Sequence, residues 1–303
     1  MRYLQSVIIM LIQIDCIPCL LKLSLSAVRK ITNDQGMIEA FFKKILVLDA
    51  LSGLKWDMTP PEVLEIIALE LAKISGGNPD PFSKVKNEQN HKALSLYPWL
   101  MERVDQSKNP FFTAVKLSIA GNLVDSVIGD DVQTLKEEVK KVLERELNSL
   151  ETITFWEKIA SSKMILYFGD NCGEIVFDRV LIETIKKNAK ADIIFVVRSD
   201  AALNDITLKE AFSVGMDRVA GIIQNGISGP LPGTILSRCS PETQALVEKA
   251  DLVISKGGAN YETLSQYGAA GKDTTFLTIA KCLPFCRHFG VDMHAPIIRN
   301  VYT

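Results

Sequence analysis

The sequence predicts an α/β protein in which a doubly wound, mostly parallel sheet follows a helical N-terminal region. Before residue 150 the apolar residues recur at helical spacing, and after it short apolar runs of strand length alternate with helical segments. Strands that alternate with helices are typical of parallel sheets covered by helices on both faces. We therefore predict a helical N-terminal domain over residues 1–150 and an α/β domain over residues 151–303.

The composition is that of an ordinary globular chain and disfavours several classes of protein. The 303 residues are 47% hydrophobic, and 34 Lys and Arg face 36 Asp and Glu, which gives a formal net charge of −2. Without a basic excess we expect no nucleic-acid partner. The apolar stretch 7–12 is too short to span a membrane, and six cysteines in a chain of this length do not suggest a secreted disulfide scaffold. We expect a cytoplasmic protein without a membrane partner; its oligomeric state and the alternative start at Met10 stay open.

The first region contains four helical patterns and no convincing strand. The predicted helices cover residues 37–46, 60–75, 110–128 and 131–147. The second helix opens on two prolines, which suit a first helical turn, and a Gly- and Pro-rich loop over 76–81 follows it.

The second region contains five apolar runs that read as buried strands. They cover residues 164–168, 193–197, 218–223, 252–255 and 275–279, and the third is the weakest. The helical segments that separate most of them cover 174–189, 205–214, 241–249 and 260–267. Ligands of such sheets bind outside the carboxyl ends of the strands, so the chemistry is sought there.

Polar residues follow the first of these strands directly. Asp170 and Asn171 offer a carboxylate beside an amide oxygen, a hard donor pair suited to a divalent ion. The helix that begins at Gly173 and Glu174 would present backbone N–H groups to an anion such as phosphate. The alternative is that Asp170 or Asn171 only caps this helix.

The second strand is followed by Asn204 and Asp205, which begin the next predicted helix. Asp205 is placed to share a metal ion with Asp170 across neighbouring strand ends. The alternative is an acidic residue that the helix dipole favours at a helix N-terminus.

The fourth strand ends at Lys256, which is followed by Gly257, Gly258 and Asn260. A lysine before paired glycines resembles a phosphate cradle, because glycine lets the backbone approach closely and lysine supplies the charge. The spacing is not that of a P-loop, and no G-x-G-x-x-G follows the first strand, which disfavours a dinucleotide site.

Two further sets of residues lie in the helical region. Asn122 and Asp125 are three residues apart on one helix face, and they either face a metal or substrate or form a helix–helix hydrogen bond. Cys16 and Cys19 form a CxxC at a predicted helix start, but no second ligand pair completes a zinc site. A redox role of this CxxC is the alternative.

Taken together, these pieces resemble the damage-control phosphatase family over nearly the whole chain. The motifs that carry the resemblance occur in family order: D-C-I-P-C-L-L at 15–21, N-P-D-P-F at 78–82 with Lys86, A-G-N-L-V-D at 120–125, G-D-N-C-G-E at 169–174, N-D-I-T at 204–207, K-G-G-A-N-Y-E at 256–262 and K-C-L-P at 281–284. The CxxC is similar to that of the mostly prokaryotic and archaeal subfamily.

The resemblance implies a metal-dependent phosphatase that acts on small, damaged phosphometabolites such as sugar phosphates. It implies a divalent ion (Mn, Ni, Mg or Co) held by Asp170, Asn171 and Asp205, and a substrate-binding role for Lys256. A water held by the ion is the preferred nucleophile, since the D-x-D of enzymes that use a covalent aspartate is absent. The further substrate-binding candidates of the same motifs are Asn122, Asp125, Gly173, Glu174, Gly257 and Asn260.

Two other functions are compatible with the same residues. The first is a non-catalytic or transferase module that binds a phosphorylated metabolite, and the second is a CxxC redox protein. Metal-dependent release of inorganic phosphate would distinguish the phosphatase from both.

Overall fold

The computed structural model describes residues 10–124, 131–267 and 272–302. The helices of the first region are α1 (Cys16–Ile31), α2 (Gln35–Ile45), α3 (Asp49–Ser52), α4 (Pro60–Ile74), α5 (Ser83–Asp105), α6 (Pro110–Gly121), α7 (Val132–Glu144) and α8 (Ser149–Ser161). Within the described ranges, none of the helices is both long and apolar enough to cross a membrane.

The four helices predicted for this region are present where the chain is described, but α3, α5 and α8 were missed, and only the start of α1 was predicted. Helix α4 starts in a capping box, in which the Thr59 backbone N–H donates to the Glu62 carboxylate over 2.8 Å. Helix α6 ends at Gly121 and residues 122–124 form a turn, so the helix predicted over 110–128 is shorter than expected; residues 125–128 of that prediction lie outside the described residues. Helix α5 escaped prediction because its sequence is polar with a weak apolar stripe and holds Pro98 in its interior.

The second region forms one six-stranded sheet. Its strands are β1 (Met164–Phe168), β2 (Asp192–Val197), β3 (Gly221–Gln224), β4 (Leu252–Lys256), β5 (Thr274–Ile279) and β6 (Pro296–Val301). The order is β3-β2-β1-β4-β5-β6, and every neighbouring pair is parallel except β5 and β6. The helices of this region are α9 (Glu174–Asn188), α10 (Leu208–Ser213), α11 (Pro241–Lys249), α12 (Gly257–Tyr267) and α13 (Leu283–Phe289).

The structure confirms the predicted fold class and corrects several of its elements. The third strand lies at 221–224 and not at 218–223, because residues 216–218 form a short 3-10 helix after Gly215, which has a φ of 71°. The helix predicted from 205 begins at Leu208, because Asp205 and Ile206 pair with another segment of backbone. Strand β6 was missed, since its apolar run is only Ile297 and Ile298.

Both regions contribute to one apolar core. A single cluster of buried side chains joins Leu96 and Val115 of α5 and α6 to Tyr167, Phe177 and Phe195 of the α/β region. Helices α6 and α9 pack closely, and a Cβ added at Gly121 would lie 2.9 Å from the Phe177 Cβ. Residue 150 lies inside helix α8, the strands begin at residue 164, and a division into two domains stays a prediction.

The sheet places its switch point between β1 and β4. From this pair the chain builds outward in both directions, to β2 and β3 on one side and to β5 on the other. In open α/β sheets, the crevice outside the carboxyl ends of such a strand pair is where ligands bind. Asp170 follows β1 and Gly257 follows β4, so both lie at this edge.

Candidate active site at the carboxyl ends of the strands

Backbone pairing between two loops assembles the candidate metal ligands. The Ile206 N–H donates to the Asp170 carbonyl over 3.0 Å, and the Cys172 N–H donates to the Asn204 carbonyl over 2.9 Å. Asn171 and Asp205 face each other in an antiparallel bridge. Backbone hydrogen bonds thus join the loop after β1 to the loop after β2. This pairing explains why the candidate ligands are neighbours although Asn171 and Asp205 are 34 positions apart in the chain.

These side chains line a cavity of about 360 Å³. Asp170, Asn171 and Asp205 form part of its wall, and α1 and α4 of the helical region form another part. The cavity therefore lies between the helical region and the switch point of the sheet, as the prediction of a crevice at the strand ends requires.

Asp170 is buried in a setting that disfavours an isolated negative charge. Its side chain is 4% exposed, and its Oδ2 accepts hydrogen bonds from Asn171 Nδ2 at 2.9 Å and Asn122 Nδ2 at 3.3 Å. Burial, followed by the nearby Asp205 carboxylate, raises the pKa of Asp170 well above its usual value. Arg198 and Lys281 oppose this shift. Two neighbouring buried carboxylates create a demand for further positive charge.

Arg198, directly after β2, is a residue of this site for which no role was predicted. Its Nε donates to Asp205 Oδ2 over 2.6 Å, and its Nη2 lies 3.7 Å from Asp170 Oδ1. Its Nη1 donates to Thr234 and its Nη2 donates to Asn260, so the orientation of the guanidinium group is fixed. The sequence feature that could have indicated Arg198 was a charged residue directly after a buried strand. Arg198 therefore holds the Asp205 carboxylate in place.

The donors at this edge fit a hard divalent ion. Two carboxylates and one amide oxygen are the oxygen ligands that Mg²⁺ and similar ions take, with waters or substrate phosphate to complete the shell. In the described part of the chain, no three His, Cys, Asp or Glu side chains converge as a metal site. An ion here would therefore depend on the amide of Asn171 and on exogenous oxygens. That Asp170, Asn171 and Asp205 bind one ion stays a prediction.

Gly257 allows the Asp170 carboxylate its position. Its φ is +77°, and an added Cβ would lie 1.8 Å from Asp170 Oδ2 and 2.3 Å from its Cγ. Every other residue would displace the carboxylate, so the first glycine after β4 is a requirement of the site. Helix α12 already begins at this residue, three residues earlier than predicted.

The Lys256 ammonium does not project into the crevice, and this expectation was wrong. Its Nζ donates to Glu174 Oε1 over 2.5 Å, to Asp178 Oδ1 over 2.6 Å and to the Ser118 carbonyl over 3.0 Å. Burial lowers the pKa of Lys256, but Asp178 and Glu174 outweigh burial and raise it, so the lysine stays charged. The carboxylates of α9 therefore draw it into the core, away from the cavity.

Other predicted substrate-binding residues lie behind the cavity wall. Asn122 is buried and bridges Asp170 and Glu174, with 2.6 Å from its Nδ2 to Glu174 Oε2. The Asn260 amide donates to the carbonyls of Gly169 and Lys256. Their contacts are those of positioning residues; their roles toward substrate stay untested. Asp125 lies outside the described residues.

The backbone cradle predicted before α9 is already engaged. The Gly173 N–H donates to Asn90 Oδ1 over 2.6 Å, and the Cys172 N–H is bonded to Asn204 as described above. Gly173 itself has a φ of +79° and packs against Val124 and the Gln89 carbonyl. The prediction that these two N–H groups are available to a phosphate was therefore wrong for this structure, because helix α5 supplies a competing acceptor.

Unlike Lys256, Lys281 reaches the cavity, and it lies beside Asp170. It follows β5, is exposed, lines the cavity, and lies near enough to Asp170 to lower the pKa of that carboxyl. Gly258 and Ala259, in the first turn of α12, line the same cavity. The sequence had placed Lys281 in a family motif without a role; its position after a third strand end was the missed signal.

The CxxC lies at the start of α1, as predicted, and faces the same cavity. Cys16 and Cys19 line it together with Cys282, which precedes α13, and with Glu262 of α12. The three cysteines are free thiols, and burial raises the pKa of each, to about 11 for Cys282. Protonated thiols are poor nucleophiles, which disfavours a redox role.

Comparison with known proteins agrees with this geometry. A family model for the damage-control phosphatase ARMT1-like domain matches residues 12–297. The chain belongs to this family. The resemblance seen in the sequence is thereby confirmed, while the assignment to a CxxC subfamily stays a prediction. Family membership supports phosphatase activity toward damaged metabolites.

The relatives are similar over most of the chain. A damage-control phosphatase of Archaeoglobus fulgidus is 36% identical over 228 residues, which is 73% of this chain and 77% of the relative. One from Pyrococcus horikoshii is 30% identical over 97% of this chain and 99% of the relative. The crystal structure of a DUF89 family protein from Pyrococcus horikoshii, 29% identical, superposes with a TM-score of 0.83 and covers 95% of this chain and 98% of that one.

Proposed function

We propose that the chain is a metal-dependent phosphatase that hydrolyses phosphomonoesters of small metabolites in the cavity between its helical region and its sheet. The observation that carries the proposal is the pairing of the two loops after β1 and β2. This pairing sets Asp170, Asn171 and Asp205 side by side on the cavity wall, with Lys281 near Asp170.

The chemical task is to let water attack a phosphorus atom that is surrounded by negative oxygens. Water forms a new bond to phosphorus, the bond to the organic oxygen breaks, and inorganic phosphate and an alcohol leave. A divalent ion, when bound, supplies the positive charge that polarises a phosphoryl oxygen and acidifies the attacking water. Asp170, Asn171 and Asp205 would hold it, and Mn, Ni, Mg and Co all suit their oxygen donors.

The protein's own groups supply the rest of the positive potential. Lys281 is placed to pair with a phosphate oxygen, since it lines the cavity and acts on Asp170. The first turn of α12, with Gly258 and Ala259 in the wall, points the positive end of a helix dipole at the same space. These two features take over the phosphate-binding role that the sequence had suggested for Lys256 and for the residues before α9.

Residues around the candidate metal ligands hold their side chains in place. Arg198 orients Asp205, Asn122 orients Asp170, and Gly257 leaves room for the Asp170 carboxylate. Pre-set geometry of this kind lowers the cost of reorganisation during the reaction. All six cysteines are free, in keeping with the reducing cytoplasm proposed as the location.

A screen of phosphorylated metabolites with several divalent ions tests the proposal. We expect release of inorganic phosphate that requires the ion and stops when a chelator is added. Binding of phosphorylated metabolites without phosphate release would instead support a binding module. Activity that depends on Cys16 and Cys19 and is indifferent to chelators would support the redox alternative.

A further inference from the structure

We propose that the substrates are monophosphates of apolar groups, alkyl or aryl, and that the helices α1 and α4 form the surface that recognises the apolar group. This inference rests on the proposed phosphatase function and names the substrate class of the same site. It departs from the sugar phosphates that the family resemblance had suggested.

The first observation is that one cavity contains both surfaces. The charged part of its wall holds Asp170, Asp205 and Lys281 at the strand ends. Leu20 and Leu23 of α1 and Phe82, just before α5, line it as well. A phosphomonoester whose phosphoryl group meets the strand ends must therefore place its organic group against the helical region.

The second observation is the chemistry of α4. Every residue that this helix contributes to the cavity is apolar: Pro60, Pro61, Leu64, Ile67 and Leu71. A sugar placed against this wall would leave its hydroxyl groups without hydrogen-bond partners, which is unfavourable for a buried hydroxyl. An alkyl or aryl group would lose nothing and gain from leaving water.

The third observation concerns the neighbouring wall of α1. Ser24 faces the cavity, but its hydroxyl already donates to the Leu20 carbonyl over 2.7 Å. The thiols of Cys16, Cys19 and Cys282 stay protonated, and a protonated thiol packs as a small hydrophobic group. Of the other polar residues that line the cavity on this side, Asp15 is paired with Arg287, and Ser26 and Lys30 are exposed. The buried part of the α1 wall therefore offers a sugar few polar partners.

The volume of the cavity limits the size of the apolar group. About 360 Å³ is near the lower end of the range for ligand pockets, which is about 300–1,000 Å³. Leu23 lines the cavity and is also 44% exposed, so the wall reaches the protein surface there. We expect a phosphoryl group and a short apolar group to fill the cavity, and longer chains to extend past Leu23 into water.

The experiment compares methyl, propyl, hexyl and decyl phosphate, phenyl phosphate and a hexose phosphate with one activating divalent ion. We expect kcat/KM to rise by about two- to fourfold for each added methylene up to a plateau, because each buried methylene contributes about 0.8 kcal/mol. A rate for the hexose phosphate that equals or exceeds that for hexyl phosphate, or a rate independent of chain length, would overturn the inference. If no ester releases phosphate with any ion, the proposed function fails and the inference fails with it.

A matched pair of leucine variants locates the recognising surface. Leu23 and Leu69 are both about half exposed on helices, at 44% and 47%, but only Leu23 lines the cavity. We expect Leu23→Ser to lower kcat/KM for hexyl phosphate about fivefold more than for methyl phosphate, and Leu69→Ser to change neither. The assignment would be contradicted if Leu23→Ser lowered kcat/KM equally for both esters. It would also be contradicted if both variants preferred hexyl phosphate as strongly as the wild type does.

Discussion

At the scale of single residues, the surroundings of a charged group decide whether it faces the cavity or the core. Lys256 and Lys281 each follow a strand of the sheet, yet Lys256 is enclosed by Glu174 and Asp178 while Lys281 reaches the cavity. The sequence identified Asp170, Asn171 and Asp205 as candidates because each follows a strand. The sequence could not show which way the Lys256 side chain points, because the carboxylates that attract it lie some 80 residues earlier in the chain.

The two lysines should therefore respond differently to substitution. Lys281→Ala should raise KM for an accepted phosphomonoester by about tenfold, equal to about 1.4 kcal/mol, while stability changes by less than about 0.5 kcal/mol. Lys256→Met should lower the free energy of unfolding by about 3 kcal/mol, because Glu174 and Asp178 lose their buried counter-ion. Steady-state kinetics and urea unfolding measure these effects; a Lys281→Ala enzyme with wild-type KM and kcat would contradict the assignment.

Glu262 should make stability depend on pH. Burial raises its pKa from 4.5 to about 8. Between these values the folded protein keeps a proton that the unfolded chain has lost, so this group's contribution to stability is lost as pH rises from about 5 to 8. Glu262→Gln removes this loss, and the variant should gain stability relative to the wild type over that range. Urea unfolding of both proteins at pH 5 and pH 8 tests this; a difference that does not change with pH would contradict it.

At the scale of elements, the junctions between strands and helices carry the site. The buried strands β1, β2, β4 and β5 were predictable because each is a continuous apolar run between polar segments. Helix α5 and strand β6 were not, since their apolar patterns are weak and tertiary packing stabilises them. The pairing of the loops after β1 and β2 was also beyond the sequence, because no local pattern marks it.

The β4–α12 junction offers a sharp test at this scale. Gly257→Ala would place a Cβ 1.8 Å from Asp170 Oδ2 on a backbone with positive φ, so we expect kcat to fall at least about 100-fold and stability to decrease. Gly53→Ala is the matched control, because Gly53 also has a positive φ, +84°, and an added Cβ would meet nothing within 4 Å. Kinetics and unfolding of both variants check this, and wild-type turnover in Gly257→Ala would show that Asp170 needs no such room.

At the scale of the whole molecule, buried charges connect the helical region to the sheet. The Lys86 ammonium of α5 lies 2.9 Å from Asp80 Oδ2 and 3.1 Å from Glu210 Oε2 of α10. Glu210 in turn caps α10 through Thr207, two residues after Asp205. The helical region thus helps to place the loop that carries Asp205. The sequence supplied Asp80 and Lys86 as a motif but not their partner, which lies 124 residues beyond Lys86.

Removing this link should destabilise the protein as a whole. Lys86→Met leaves two carboxylates without their buried counter-ion, and breaking such a pair costs about 3–5 kcal/mol. Lys84→Met is the control on the same helix, because Lys84 is exposed, and we expect a change below about 0.5 kcal/mol. Urea unfolding gives both values, and equal stability of the two variants would show that the link contributes little.

We expect Asp170 to act in metal-dependent hydrolysis without being required for folding. The most direct measurement is release of inorganic phosphate, with and without the activating divalent ion, by the wild type and by Asp170→Ala. Asp192→Asn, an exposed change at the opposite end of the sheet, is the control. We expect Asp170→Ala to lose at least about 1,000-fold in kcat/KM, about 4 kcal/mol, and to unfold cooperatively like the wild type. Near wild-type, metal-dependent phosphate release by a folded Asp170→Ala protein would contradict the account.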